Sequence, residues 1–219
     1  MHLVDSRGVL LGLLVVWVCP ALGAESGAPS RGLEVAFRSA VQIPAGNVAE
    51  NSAMSDAFGV QFPLWLDLGY RFDRWFIGAY GQYAFGLAGG RLDCGGQGLS
   101  CSIGGVRTGF QAQFHPAGRQ KVDPWIGAGF GYEWQTIKVS DATASATVNV
   151  QGWELVHLGG GCDFAISETF RVGPFAEFSI DQFVQSGLTT PDGQSASGPI
   201  ERKALHFWIS IGVKLTGLF

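Results

Sequence analysis

Residues 60–72 read VQFPLWLDLGYRF, and this stretch decides the fold. Phe62, Leu64, Leu66, Leu68, Tyr70 and Phe72 occupy alternate positions, with Gln61, Trp65, Asp67 and Arg71 between them. Successive side chains of a β-strand point to opposite faces, so the stretch is a strand with one wholly apolar face and one face that carries charge. Seven further segments alternate in the same way: Leu33–Ile43, Trp75–Leu87, Ile103–His115, Trp125–Lys138, Val148–Phe164, Phe170–Phe183 and Ala204–Phe219. In the fifth strand of the series, Ile126, Ala128, Phe130, Tyr132 and Trp134 oppose Gly127, Gly129, Gly131, Glu133 and Gln135. Beyond the first two dozen residues no segment sustains a helical period, and the chain reads as all-β.

The chain opens differently. Met1–Arg7 is followed by an unbroken apolar run from Val9 to Cys19, then Pro20 and the small residues ALGA. A short basic start, about 7–15 apolar residues and a small-residue cleavage site make a secretory signal peptide. The run is too short to span a bilayer as a helix, which takes about 20 residues. Cleavage after Gly23 or Ala24 divides the chain into a signal peptide, residues 1–24, and one domain, residues 25–219. A lipoprotein signal is excluded because Cys19 follows Val18 rather than a small residue. The net charge of −4 gives no electrostatic case for nucleic acid, which calls for a basic patch. Cys94 and Cys101 bracket a glycine-rich stretch, and an exported chain permits a disulfide there. Cys162 is left as a small apolar residue of the wall.

Cost decides which face meets which solvent. A basic residue on a lipid face at mid-bilayer costs roughly 2–4 kcal/mol. The charged face therefore points inward, with Glu34, Arg38, Asp67, Arg71, Arg107, Glu133, Glu177, Asp181 and Lys214 forming an interior network. The sixth strand is the difficult one. Placing Val156, Leu158 and Phe164 outward carries Glu154 with them, tolerable only near a rim or at a bulge. Connections after the even strands are short (Asp73–Arg74, Pro116–Pro124, Ala165–Thr169), and those after the odd strands long (Pro44–Phe58, Ala88–Ser102, Val139–Thr147, Val184–Lys203). Short turns on one side, longer loops on the other and both ends on the short-turn side give an eight-stranded antiparallel up-and-down transmembrane β-barrel. Phe72, Trp75, Phe114, Trp125, Phe164, Phe170 and Phe219 gather at the short-turn side as an aromatic girdle at the membrane interface.

With VAFRSAVQIPAG at 35–46, VGPFAEFSI at 172–180 and a last strand ending on Phe219, the chain resembles the small eight-stranded outer-membrane barrels of the OmpA, OmpX and OmpW type. The resemblance covers essentially all of residues 25–219. It implies residence in the lipid of a Gram-negative outer membrane, secretory export, and recognition of the strand ending in Phe219 by the barrel-assembly machinery. It does not transfer a function, because this architecture hosts structural proteins, pores, adhesins and lipid-modifying enzymes.

The interior of an eight-stranded barrel is only wide enough for its own side chains, so nearly balanced charges there pair into a plug. Asp163, Arg171, His157 and His206 fall near the same space. His206 and Ser210 share a face, but a lipid-cleaving nucleophile belongs on the outer wall. The histidines lack metal-ligand spacing, and GAGFGYE at 127–133 is followed by no helix of a nucleotide loop. No catalytic, cofactor or metal site is expected. The reading is a monomeric barrel with a structural or surface-interaction role, any extracellular ligand meeting the loops, of which 184–203 reads as a mobile one. The rivals are a narrow, porin-like route for small apolar solutes of the OmpW type, a lipid-modifying barrel enzyme, and a secreted lipocalin-like binder with the opposite facing.

Overall fold

Each alternating segment forms a strand, and most strands continue past the point where alternation stops. The computed structural model describes residues 31–90, 94, 98–118 and 120–219, so the signal peptide expected at 1–24 lies outside the described residues. The elements are β1 (Arg31–Ala49), β2 (Ser52–Ala53), α1 (Met54–Ala57), β3 (Phe58–Phe72), β4 (Trp75–Ala88), β5 (Ser100–Phe114), β6 (Val122–Ser140), β7 (Ser145–Ala165), β8 (Phe170–Thr189), β9 (Ser195–Pro199) and β10 (His206–Leu218). Strands β1, β3, β4, β5, β6, β7 and β8 pair antiparallel in sequence order, and β10 pairs with both β8 and β1. Eight strands thus close a ring. Strand β2 pairs with β1, and β9 with β8.

The outer wall is apolar: Leu64, Leu66 and Leu68 are exposed, whereas Gln61, Trp65, Asp67 and Arg71 on the same strand are buried. That facing excludes the inverted, lipocalin-like barrel. In β7 the expected phase is corrected. Phe130 meets two residues, Leu155 and Val156, because pairing passes from Gly131↔Glu154 to Gly129↔His157. This one-residue bulge turns Glu154 inward while Trp153, Leu155, Leu158 and Phe164 stay outward and Val156 is half-buried. Trp125 is a second correction. It shares the phase of Gly127 and Glu133 and is buried inside the barrel instead of joining the girdle. Phe72, Trp75, Phe164, Phe170 and Phe219 are on the outer surface, with Phe114 packed 4.9 Å from Trp75 and Phe170 6.1 Å from Phe219.

The connections are also shorter than the sequence suggested. The expected loop at 139–147 is a turn at 141–144, where the Asp141 carboxylate accepts the amides of Thr143 (2.7 Å) and Ala144 (2.8 Å), which hold it below the ordinary carboxylate range. The expected loop at 184–203 is largely strand. Gln185–Thr189 of β8 pair with β9 through a turn in which Gly193 takes φ +82°. The reason is physical. Above a bilayer both faces of a strand meet water, so pairing continues without apolar alternation. Strand β7, at 21 residues, is roughly 70 Å long at about 3.3 Å per residue, far beyond the 9–11 residues that cross a membrane. Likewise β1 runs on through the expected loop at 44–58 to Ala49, and α1 follows.

Leu66 lies at the middle of β3 on the outer face. Leu66→Arg is expected to lower stability by about 2–4 kcal/mol in phospholipid vesicles, read from the urea midpoint; an unchanged midpoint would place this face away from lipid.

Candidate functional site

The interior is stacked as an apolar seal above three charged levels. At the long-connection end, Met54 of α1 enters the barrel and packs with Phe58, Ile103, Ile137, Val150, Phe183 and Trp208, joined by Ile200. The four residues of α1 sit here because Met54 and Phe58 are one helical turn apart and both bury against this cluster. Below this apolar seal lie the charges, interleaved with Trp65, Tyr80, Trp125 and Phe175.

The upper charged level centres on Arg107 of β5. Its Nη1 donates to Glu154 (3.0 Å) and its Nη2 to Glu133 (3.2 Å), with Asp181 3.6 Å away. Glu133 also meets the Nε2 of His206 and accepts the indole N–H of Trp208 at 3.3 Å. Glu154 is held by the Tyr80 hydroxyl and by His157 Nδ1 at 3.1 Å. The glycines of β6 make this possible. A side chain at Gly129 would strike His157, and one at Gly131 would strike Tyr80 and Glu154.

At the middle level Arg38 faces Asp67 with two nitrogens at 2.9 Å each and donates to Glu177 at 2.6 Å, while its guanidinium lies 4.9 Å from the centre of the Trp65 ring. At the short-turn end Arg71 donates to Glu34 at 2.7 Å and lies 3.6 Å from Asp123, which also meets His115 at 3.0 Å and Arg171 at 3.8 Å. Lys214 donates to Gln113 at 2.9 Å, lies 3.4 Å from Asp163 and sits 4.4 Å over the Trp125 ring. Trp125 in turn donates to Asp163 at 3.1 Å.

All nine residues proposed for the network are buried and come together across these levels. Sequence reasoning missed Glu154, hidden by the bulge, Asp123, which lay in the assumed turn Pro116–Pro124, and His115, the last residue of the fourth alternating segment. Asp123 has the phase of Trp125, the signal that could have found it. Counted over the described interior, eight acids (Glu34, Asp67, Asp123, Glu133, Glu154, Asp163, Glu177, Asp181) face five Arg or Lys side chains (Arg38, Arg71, Arg107, Arg171, Lys214) and three histidines. The balance therefore rests on the histidines, on protons held by the carboxyl groups, or on a further cation. Glu133, Asp181 and His206 bring three donor atoms within 4.8 Å of one another. His206 is turned to Glu133, and Ser210 lies opposite Glu177, so the two do not act as a nucleophile–base pair. Cys94 and Cys101 are joined, with Cα atoms 5.5 Å apart, and Cys162 is buried.

A closed antiparallel ring of eight strands has solved counterparts. The outer membrane protein OprG of Pseudomonas aeruginosa superposes with a TM-score of 0.51 at 14% identity, over 90% of this chain and 100% of its own. The fold is that of the small outer-membrane β-barrels. A major outer membrane protein of Thermus thermophilus superposes equally well, TM-score 0.51, at 10% identity over 86% of this chain and 100% of its own. No protein-family model and no curated protein sequence matches the chain. Small outer-membrane barrels thus share the architecture, while the particular charges inside this one have to be read from its own side chains.

Removing one partner of a buried ion pair costs about 3–5 kcal/mol because the other charge stays buried. Arg38→Met strands both Asp67 and Glu177 and is expected to lose at least that range of stability, with Arg38→Lys losing less. Urea unfolding followed by tryptophan fluorescence reads both.

Proposed function

We propose that this chain is a monomeric outer-membrane barrel, closed to through-passage, that acts structurally and through its surface. The observation that carries the reading is the filled lumen. Trp65, Trp208, Arg38, Arg71 and Arg107 are all buried inside it, and the Met54 cluster lies across the long-connection end. An eight-stranded barrel has little room beyond its own side chains, so interaction is left to the outer surfaces. The apolar wall and its aromatic belt suit outer-membrane lipid, and β10 suits insertion by the barrel-assembly machinery.

The strands that overshoot the wall provide a surface for recognition. Strands β7, β8 and β9 enclose a groove of about 270 Å³ lined by Asn149, Gln151, Gln185, Gly187, Thr189 and Ser197, with no charged side chain. Amides and hydroxyls of this kind offer donors and acceptors to an uncharged polar partner.

Planar-bilayer recording tests the closed barrel. The refolded protein is expected to be electrically silent, whereas replacing residues 52–57 with a glycine–serine linker, which removes Met54 from the seal, gives discrete steps or raises leak. Reproducible unit steps from the unaltered protein would overturn the reading in favour of a narrow pore.

A further inference from the structure

We propose that Glu133, Asp181 and His206 form a binding site for a divalent transition-metal ion. The three come from β6, β8 and β10, and their donor atoms lie within 4.8 Å of one another, all fully buried. Asp181 sits directly opposite Glu154 on one neighbouring strand and His206 on the other. Two carboxylates placed opposite each other across strands repel, and in a dry lumen that repulsion is relieved by a proton on one of them or by a positive charge beside them. Arg107 supplies one such charge to three acids. Glu133, Glu154 and Asp181 thus bring three carboxyl groups to one guanidinium, an excess of acid that a divalent cation would offset.

The oxygens are not equally used. Arg107 takes Glu133 Oε2 and Glu154 Oε1, and its Nη2 lies 3.6 Å from Asp181 Oδ1, an ion-pair contact longer than a hydrogen bond. Asp181 Oδ2 accepts the Ser179 hydroxyl at 2.6 Å, while Asp181 Oδ1 accepts no hydrogen bond although the residue is fully buried. The other oxygen of Glu133 and the Nε2 of His206 face each other. An imidazole and two carboxylates, one oriented by a serine, suit Zn²⁺ and related first-row ions. Histidine spacing along the sequence could not show this set, because its ligands lie on three different strands. The ion would enter as the ring closes, since the Met54 cluster lies above the site.

The test is refolding of the full chain with Zn²⁺ as the only added metal, exhaustive dialysis, and metal analysis, with folding checked by the mobility shift of unheated barrels on detergent gels. The site predicts about one ion retained per barrel, lost in Asp181→Asn and His206→Gln, and bound about 10–100-fold more weakly in Ser179→Ala. If either ligand variant fails to fold, the folded Ser179→Ala barrel decides. No ion retained by the folded barrel would overturn the proposal, as would Zn²⁺ uptake unchanged in the folded variants.

Discussion

A charge in this barrel wall has one place to go. Lipid penalises it on the outside, and the lumen accepts it only beside a partner of opposite sign. Because a strand alternates its side chains, that single constraint fixes the facing of a regular, unbulged strand once one of its charges is placed. Arg38, Arg71, Arg107 and Lys214 each anchor a strand in this way, and each lies beside acids from other strands. The apolar exterior and the salt-bridged interior are two results of the same requirement.

That requirement also explains what the sequence revealed and what it concealed. In β3 every polar residue from Gln61 to Arg71 held the phase, so facing, strand and neighbour relations were legible. In β7 the phase was broken by one extra residue, and no local pattern marks a bulge; only the pairing of Phe130 against Leu155 and Val156 shows it. The girdle assignment of Trp125 treated an aromatic near a strand end as interfacial, although its phase with Glu133 placed it inside. The overshooting hairpins escaped notice because alternation is a signature of asymmetric solvation, and strands surrounded by water do not need it. Within the site, ion pairs such as Arg38 with Glu177 join residues far apart in sequence, and their register is a property of the closed ring.

The division of the interior into an apolar seal and charged levels places two kinds of stabilisation in one narrow space. The seal excludes water from one end, which strengthens every electrostatic interaction beneath it and raises the penalty for any charge left unmatched. The count of eight acids against five Arg or Lys side chains is therefore a condition on the chemistry of the lumen, because protons on carboxyl or imidazole groups, or a bound cation, must make up the difference.

The closing seam carries one further consequence. Across it, Arg38 of β1 and Lys214 of β10 are direct partners, two like charges that turn away from each other: Arg38 reaches past β10 to Glu177 on β8, and Lys214 reaches Asp163 on β7. A slip of the seam by two residues, about 6.6 Å, would leave every apolar side chain on its proper face, so the hydrophobic pattern cannot detect that error. The ion pair across the seam can, because the slip separates Arg38 from Glu177. The lumen charges thus act as a proofreading code for ring closure, reading the one mistake to which the membrane itself is blind.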